Sequence, residues 1–438
     1  MRLPFQPPPT VQHRVTGLKF FYLTVTVYGL LLCIAVSGWL VFALHQPSIV
    51  SLALRYDFLS LYIGARAVAT GHGSQLYDLN LQRVMMNAAT APYIRPLTLP
   101  YVYPAYAALV LVPLGLLPFA AAYVVWLGCN LLGVGWTLRR LIPSSAATKN
   151  ERIALTVTAA GFVPLLLTLI QGQWGVVCLV GITILVLARR RGAPYHAGIG
   201  LCLALVKPQL ILFPLLGLAL ERNWRSLIAF ALGAGVALGT SLLLLGNWPP
   251  IYFAALGQLR DENNVVGLDY PSAMHNSRAL VYALFHTETS GPALALQGVL
   301  LLASLAGLLA LWLPSARRPA LPWEVRFALT LLLGLLTTPH LYLHDVIVAL
   351  PAGFLLWQAS GRALDLAATT ARRWPLRLLR GVLALGPAVC FCAQLWNPPF
   401  IQLVPWYMIL LLGIAFWNWS ALALVAAGDA MIAPVVGA

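Results

Sequence analysis

Runs of about 20 apolar residues almost free of charge recur along the whole of this chain, and a run of that length is what crosses a bilayer as a helix. They read at Phe20–Leu44, Ala120–Leu138, Ile153–Ile170, Trp174–Ala188, Ser226–Gly246, Pro292–Leu313, Val325–Thr338, Asp345–Trp357, Leu378–Leu395 and Pro405–Ala427. Only 9% of the 438 residues are charged, against roughly 25% in soluble domains. A chain so poor in charge cannot clothe a water-facing surface of its size. The reading is an all-α, polytopic transmembrane helical bundle. Soluble enzyme, secreted disulfide scaffold, disordered protein and nucleic-acid binder are set aside. The six cysteines lie in apolar stretches without metal-ligand neighbours, and Cys390 and Cys392 lack CxxC spacing.

Two regions need the charge pattern to place them. Ala197–Leu220 is interrupted by Lys207-Pro208, and Tyr101–Pro118 holds Pro104, Pro113 and Pro118. Cytoplasmic loops collect Lys and Arg. With the N-terminus inside, Tyr101–Pro118 lying along the outer interface, and Ala197–Leu220 forming a hairpin with Lys207 at its outer tip, twenty basic residues fall inside against seven outside. The net charge of +15 then sits on the cytoplasmic side. This predicts about twelve spans in a cell-membrane protein with both termini cytoplasmic. Residues 1–19 form the N-terminal tail, 20–427 a single transmembrane domain and 428–438 a C-terminal tail. The first apolar run has no small-residue cleavage site and reads as a retained span. Two outer segments are long, 45–119, with interfacial helices, and 247–291; long loops beside tight connections are usually functional.

The outer side gathers the groups capable of chemistry: Asp57, Asp78, Lys207, Asp261, Glu262, Asp269, His275, His340, His344 and Asp345. Asp57 opens an amphipathic stretch at the membrane boundary. It is either a carboxylate paired with Arg55 or Arg66, or a partly desolvated general base for a hydroxyl proton. Lys207, between two apolar half-helices, is either a snorkelling lysine or a point charge for phosphate. His340 and His344 are spaced i,i+4, which admits a metal pair; without an acidic partner at fixed spacing, hydrogen bonding to substrate or to Asp57 is the stronger reading, and no metal ligand is assigned. Gln171 and Gln173 offer amides to sugar hydroxyls, or else punctuate a helical turn.

No Walker A loop, no GxGxxG after a strand and no GxSxG is present, and the inner loops are too short for a nucleotide-binding domain. The arrangement predicts a membrane-embedded, lipid-borne substrate met from outside.

Four stretches in order resemble glycosyltransferase family 87, the GT-C polyprenyl-phosphate-mannose-dependent mannosyltransferases. Asp57-Phe58 with Tyr62, Gly71 and Leu76-Tyr77 is similar to the acidic first outer loop of that family. Tyr103-Pro104 with Pro113, Pro118, Trp126 and Asn130 resembles its YPP…P…P…W…N segment, Ala105 standing in place of the second proline of YPP. Gln171-Gly172-Gln173, Gly198 and Lys207-Pro208 resemble its GQ…G…KP run, and Thr338-Pro339-His340 with Asp345 its late P-H…D signature. The resemblance covers Asp57 to Pro351. It implies a GT-C-like fold and inverting transfer of a sugar, mannose in this family, from a polyprenyl-phosphate donor to a lipid or glycan acceptor on the extracytoplasmic side. Asp57 would be the base. Lys207, with His340 or His344, would stabilise the departing phosphate, and Gln171, Gln173, Tyr103 and Asp345 would bind substrate. Tyr101–Pro118 and neighbouring spans would hold the prenyl tail. No cofactor, divalent metal or nucleic acid is implied; membrane lipids are partners, and the oligomeric state is left open.

The rival reading is a twelve-span transporter or lipid flippase for envelope precursors. Transporters show internal repeats and broken helices meeting at midplane. Here the ionisable groups gather at the outer boundary, and the break at Lys207 has no counterpart elsewhere in the chain.

Overall fold

The computed structural model describes residues 34, 57–91, 99–142, 148–261, 271–367, 370–395 and 402–432. The expected N-terminal tail, all of the Phe20–Leu44 span but Ile34, Arg55, Glu262, Asp269 and residues 433–438 lie outside them. Every regular element among the described residues is helical. In chain order these are α1 (Asp57–Ala69), α2 (Leu79–Thr90), α3 (Ala105–Val110), α4 (Val112–Gly115), α5 (Phe119–Leu141), α6 (Lys149–Ala160), α7 (Val163–Gln171), α8 (Gly175–Arg190), α9 (Pro194–Leu203), α10 (Leu212–Leu220) and α11 (Trp224–Leu245). There follow α12 (Trp248–Asp261), α13 (Ser277–Phe285), α14 (Gly291–Trp312), α15 (Trp323–Thr337), α16 (Ala349–Leu366), α17 (Thr370–Leu395), α18 (Leu403–Trp417) and α19 (Trp419–Ile432).

Among the described residues five helical segments are long and apolar enough to cross a membrane: α5, α11, α14, Leu343–Leu366 and the Arg373–Leu395 part of α17. Two bent pairs, α6–α7 at 45° and α18–α19 at 63°, raise the number to seven. The sequence expectation of about twelve counts four more of the described segments: α8 with 16 residues, α15 with 15, and the short arms α9 and α10. Two of these are short because they sit inside the bundle, and the other two are the arms of one broken element. Most of α8 and α15 is buried, and a helix enclosed by protein does not need the full lipid-facing length. Tyr101–Pro118 forms α3 and α4, six and four residues long, far below the length of a span. Of the described residues of the long segment 247–291, most lie in α12 and α13.

The break at Lys207 separates α9 from α10, and the chain returns to where it began. Ser226 Oγ, just past α10, donates to Pro194 O at the start of α9 over 2.8 Å. Arg189, just before α9, pairs with Glu221, just after α10. The first arm packs backbone to backbone: a Cβ on Gly181 of α8 would meet Gly200 O at 2.4 Å, and one on Gly198 would meet Ser226 O at 2.1 Å. Such small-residue contacts let membrane helices approach closely.

The bundle has two chemically distinct ends. At one, Arg190 bonds Gln358, which donates to Leu141 O, while Arg380 and Trp357 both donate to Glu151. Arg189 lies over Trp323, Arg326 over Trp312, Arg380 over Trp357 and Arg318 over Trp419. Helix α8 leads away from this basic, tryptophan-rich end for 16 residues, about 24 Å, to Gln173 at the other. Between the ends the flanks of α11 and α14 expose Leu232, Val236, Leu243, Val299 and Leu302. Leaving each such side chain in water costs about 1.5–3 kcal/mol relative to burial, so lipid is the medium that suits this belt.

Candidate active site

The non-basic end is built around α1. Asp57 opens the helix, where the orphan N–H groups favour a negative charge, and residues 58–65 behind it are buried. Arg66 turns away from Asp57 and donates to Gly115 O over 2.9 Å; a Cβ on Gly115 would lie 2.6 Å from the Ala65 backbone, so α4 rests directly on α1. Of the two ion-pair partners the sequence offered for Asp57, Arg66 is thus engaged elsewhere and Arg55 lies outside the described residues. Ser60 Oγ donates to Pro100 O, and Gln82 holds Tyr101 N and Leu76 O, which fixes the chain leading into Tyr103.

Gln173 reaches Asp57 because α7 ends on a left-handed residue. Gly172 has φ +66° and a Cβ there would lie 2.5 Å from Phe58 Cβ, so this turn takes only glycine without strain. Trp126 Nε1 and Tyr123 Oη fasten it by donating to Gly172 O and Ile170 O, each over 2.8 Å. Gln173 Nε2 then donates to Asp57 Oδ2, while Tyr103 Oη donates to Gln173 Oε1 over 3.0 Å. Tyr103, Gln173 and Asp57 form one directed chain, each group orienting the next.

Lys207 is buried, 4% exposed, at the tip of the broken element, with its Nζ 2.5 Å from Asp345 Oδ1. A snorkelling lysine would hold its ammonium in water; this one holds it against a carboxylate. Asp345 is fully buried, and its Oδ2 lies 3.6 Å from His344 Nε2. The 3₁₀ segment Leu343–Val348 carries both residues, anchored where Thr168 Oγ1 donates to His344 O over 2.8 Å. His340 precedes that segment and stacks edge-on to Tyr342 at 4.7 Å. The two histidines therefore do not share the face of one helix, because α16 begins only at Ala349.

These groups surround a cavity of about 800 Å³, lined by Asp57, Tyr103, Gln171, Gln173, Lys207, His340 and His344 among others. That volume lies in the range of small-molecule sites. Asp345 is not in the lining; it stands behind Lys207, so its contact is with the cation. Lys207 spends one of three N–H donors on Asp345 and has two left for a ligand. Asp57 is half-buried and the only carboxylate in the lining among the described residues. Burial pushes its carboxyl up to about 6, opposed by the Gln173 amide and the Lys207 cation. A carboxylate so tuned is ionised near neutrality and still basic enough to take a proton.

The structure brings seven of the eight sequence-proposed site residues to one wall-to-wall cavity and puts the eighth behind it. Asp78 does a different job, capping α2 by accepting from Asn80 N and Leu81 N. The lining also contains Ser60, Gln209, Tyr252, His275, Tyr342 and Gln394, none of which sequence reasoning gave a role. His275 was legible as an ionisable group on the expected outer side; Tyr252 sits on α12, in a segment read as loop. Among the described residues no group of three or more His, Cys, Asp or Glu side chains is placed to hold a metal ion.

Residues 101–339, just over half of the chain, match the family model of glycosyltransferase family 87. The match takes in Tyr103, Gln171, Gln173, Lys207 and His275 and stops one residue short of His340. No curated protein and no solved structure matches the chain.

Proposed function

We propose that this chain, which belongs to glycosyltransferase family 87, transfers a mannosyl residue from a polyprenyl-phosphate carrier to a lipid or glycan acceptor on the extracytoplasmic face of the membrane, with inversion at C1. The observation that carries the reading is the pairing of functions in one cavity: Asp57, a carboxylate positioned by Gln173, and Lys207, a buried cation with free donors.

In the reaction Asp57 accepts the proton of the acceptor hydroxyl as that oxygen bonds to C1. The C1–O bond to phosphate breaks, and polyprenyl phosphate leaves with the negative charge that Lys207 offsets. Among the described residues Asp57 is the one carboxylate in the lining, which supports direct displacement, since a double displacement needs a nucleophile as well as an acid–base group. Asp345 keeps Lys207 charged and aimed. Gln171, Gln173 and Tyr103 offer donors and acceptors to sugar hydroxyls. The apolar flanks admit a carrier tail from the bilayer, and Val102 and Pro104, from the proline-rich stretch, border the cavity. Sidedness rests on the separation of this end from the basic one.

Transfer from a radiolabelled polyprenyl-phosphate mannose to endogenous membrane acceptors, by the purified protein in detergent, tests the reading. Label moving to a new product at a rate abolished by Asp57→Asn is the expected result; carrier crossing a liposome bilayer with no new glycosidic product would favour a transporter instead. Lys207 supplies the positive charge, so transfer is expected to persist in chelator.

A further inference from the structure

We infer that α12 is seated by its outer face in the lipid leaflet at the cavity end of the molecule, and that the lipid-phosphate donor reaches the cavity past this helix; the second half of the inference rests on the transferase reading above. Helix α12 has two faces. Tyr252 and Leu256, one turn apart, line the cavity, and Trp248 and Ala255 are buried beside them. On the other side Pro250, Ile251, Phe253, Ala254 and Gly257 are exposed, Ile251 by 49% and Phe253 by 68%. From Trp248 to Gly257 no exposed residue carries a polar side chain.

Ring contacts and hydrogen bonds fix the inner face. Trp248 Nε1 donates to Ser241 Oγ over 3.0 Å, so the first turn of α12 folds back against the end of α11. Tyr252 lies 5.3 Å from Tyr77, ring centre to ring centre, and its Oη donates to Val102 O over 3.3 Å. Trp248 stands edge-on to Tyr106 at 6.1 Å, and Tyr106 Oη donates over 3.1 Å to Leu205 O, two residues before Lys207. Helix α12 is therefore a cavity wall braced on the proline-rich stretch and, through Tyr106, on the approach to the Lys207 tip.

Continuity with the lipid-facing belt identifies what lies against the outer face. The last turn of the membrane span α11 exposes Leu243 by 88% and Leu244 by 66%, and only Leu245, Gly246 and Asn247 separate them from α12. The apolar surface of the span thus continues along the chain onto Pro250, Ile251 and Phe253. Helix α2, at the same end, gives the contrast, exposing Asn80 and Arg83 beside Val84, a surface suited to water. A helix whose free side is apolar, placed at the end of a span, lies along the interface with that side about 5–10 Å into the leaflet. With the donor phosphate at Lys207, its prenyl chain has to leave the cavity for lipid, and α12 has the cavity on one face and lipid on the other.

Two measurements on the full-length protein in phosphatidylcholine liposomes test this. In a cysteine-free background, Phe253→Cys and Arg83→Cys are each labelled with an environment-sensitive fluorophore and exposed to iodide or to phosphatidylcholine bearing a nitroxide on its acyl chain. The label at 253 should be quenched by the nitroxide lipid and the label at 83 by iodide. Quenching of the 253 label by iodide alone would mean that water covers the face, and shielding from both quenchers would mean that protein covers it; either overturns the seating. The second measurement compares a long-chain polyprenyl-phosphate mannose with the same donor on a two-isoprene chain. In Ile251→Ser/Phe253→Ser the KM for the long-chain donor should rise about tenfold, the equivalent of one lost apolar contact, while kcat and the KM for the short donor stay put. An unchanged long-chain KM, or an equal rise for both donors, would overturn the path past α12. If the double variant does not fold, Phe253→Ser alone decides the same comparison. Wild type that transfers no sugar from any polyprenyl-phosphate donor would overturn the transferase reading and the donor path with it, while the quenching result still decides whether α12 sits in lipid.

Discussion

Nζ of Lys207 and Oδ1 of Asp345 lie 2.5 Å apart although 138 residues separate them in the chain. The pair joins the tip of the broken α9–α10 element to the 3₁₀ segment ahead of α16. It ties two helical systems together at the floor of the cavity. Both side chains are almost wholly withdrawn from solvent. In such a place each charge is tolerable only because of the other, while Lys207 also lines the cavity.

Removing one partner of a buried pair costs about 3–5 kcal/mol, because an uncompensated charge is left behind. Asp345→Asn and Lys207→Met should therefore each lower the thermal midpoint in detergent well below that of wild type. The double variant Lys207→Met/Asp345→Leu removes both charges and should regain most of that stability. It should still fail to transfer sugar, since the cation is gone. A double variant no more stable than the singles, or an active one, would break this account of the pair.

Asp57 makes a prediction about pH. Its carboxyl is pushed up to about 6 by burial, and only the ionised form can accept a proton. Turnover should be flat above pH 7 and fall about tenfold per unit below pH 6. Asp57→Asn should lose about 10²–10⁴-fold in turnover and, along with it, the acid limb of the profile, while binding of the donor lipid survives. Asp78→Asn, outside the cavity, keeps the cap of α2 because its amide oxygen can accept from the same Asn80 and Leu81 N–H groups, so stability and the pH profile should both stay near those of wild type.

Much of this was readable in advance, and the exceptions have physical causes. The apolar run Ile153–Ile170, though not its 45° bend, the return of the chain at Lys207 and the shared location of Asp57, Gln173 and Lys207 follow from hydrophobic length, charge asymmetry and motif order, which report local and topological constraints. What tertiary packing alone decides was not readable. The family resemblance implied that Asp345 binds substrate; only the fold shows that Lys207 occupies it. Tyr252 and Tyr342 carry no charge or spacing signal, and become part of the site because α12 and the segment before α16 converge on it. The i,i+4 spacing of His340 and His344 admitted a shared helix face while Pro339 spoke against it; the 3₁₀ segment, with α16 starting only at Ala349, decides against it.

Gly172 is the hinge on which Gln173 depends. Alanine there adopts a left-handed backbone at a cost of about 1–2 kcal/mol and drives its Cβ to 2.5 Å from that of Phe58. The turn must move, and Gln173 with it, so Gly172→Ala should lose more turnover than stability. Gly71 has φ +83°, but a Cβ added there would meet nothing within 4 Å. Gly71→Ala should show the strain in its thermal midpoint and leave transfer near normal. Equal activity in the two variants would separate Gln173 from the orientation of Asp57.

The last expectation concerns which way the molecule faces. The cavity and the arginine–tryptophan end are separated by the length of α8, and lipid-facing leucines and valines lie between. Arginine is retained on the cytoplasmic side during insertion, so Arg189, Arg190 and Arg191 should face the cytoplasm and the Asp57–Lys207 cavity the outside. Two exposed positions report this without touching the cavity. Ser74 lies in the turn beside Leu245, at the cavity end of α11, and Arg191 closes α8 at the other end. In a cysteine-free background, Ser74→Cys in intact cells should react with a membrane-impermeant maleimide, and Arg191→Cys should react only after the membrane is opened. The opposite pattern would place Asp57 and Lys207 at the cytoplasmic face. A donor carried on a lipid phosphate would then have no advantage over a soluble nucleotide sugar, and the assignment of the leaving group to Lys207 would fall with the topology.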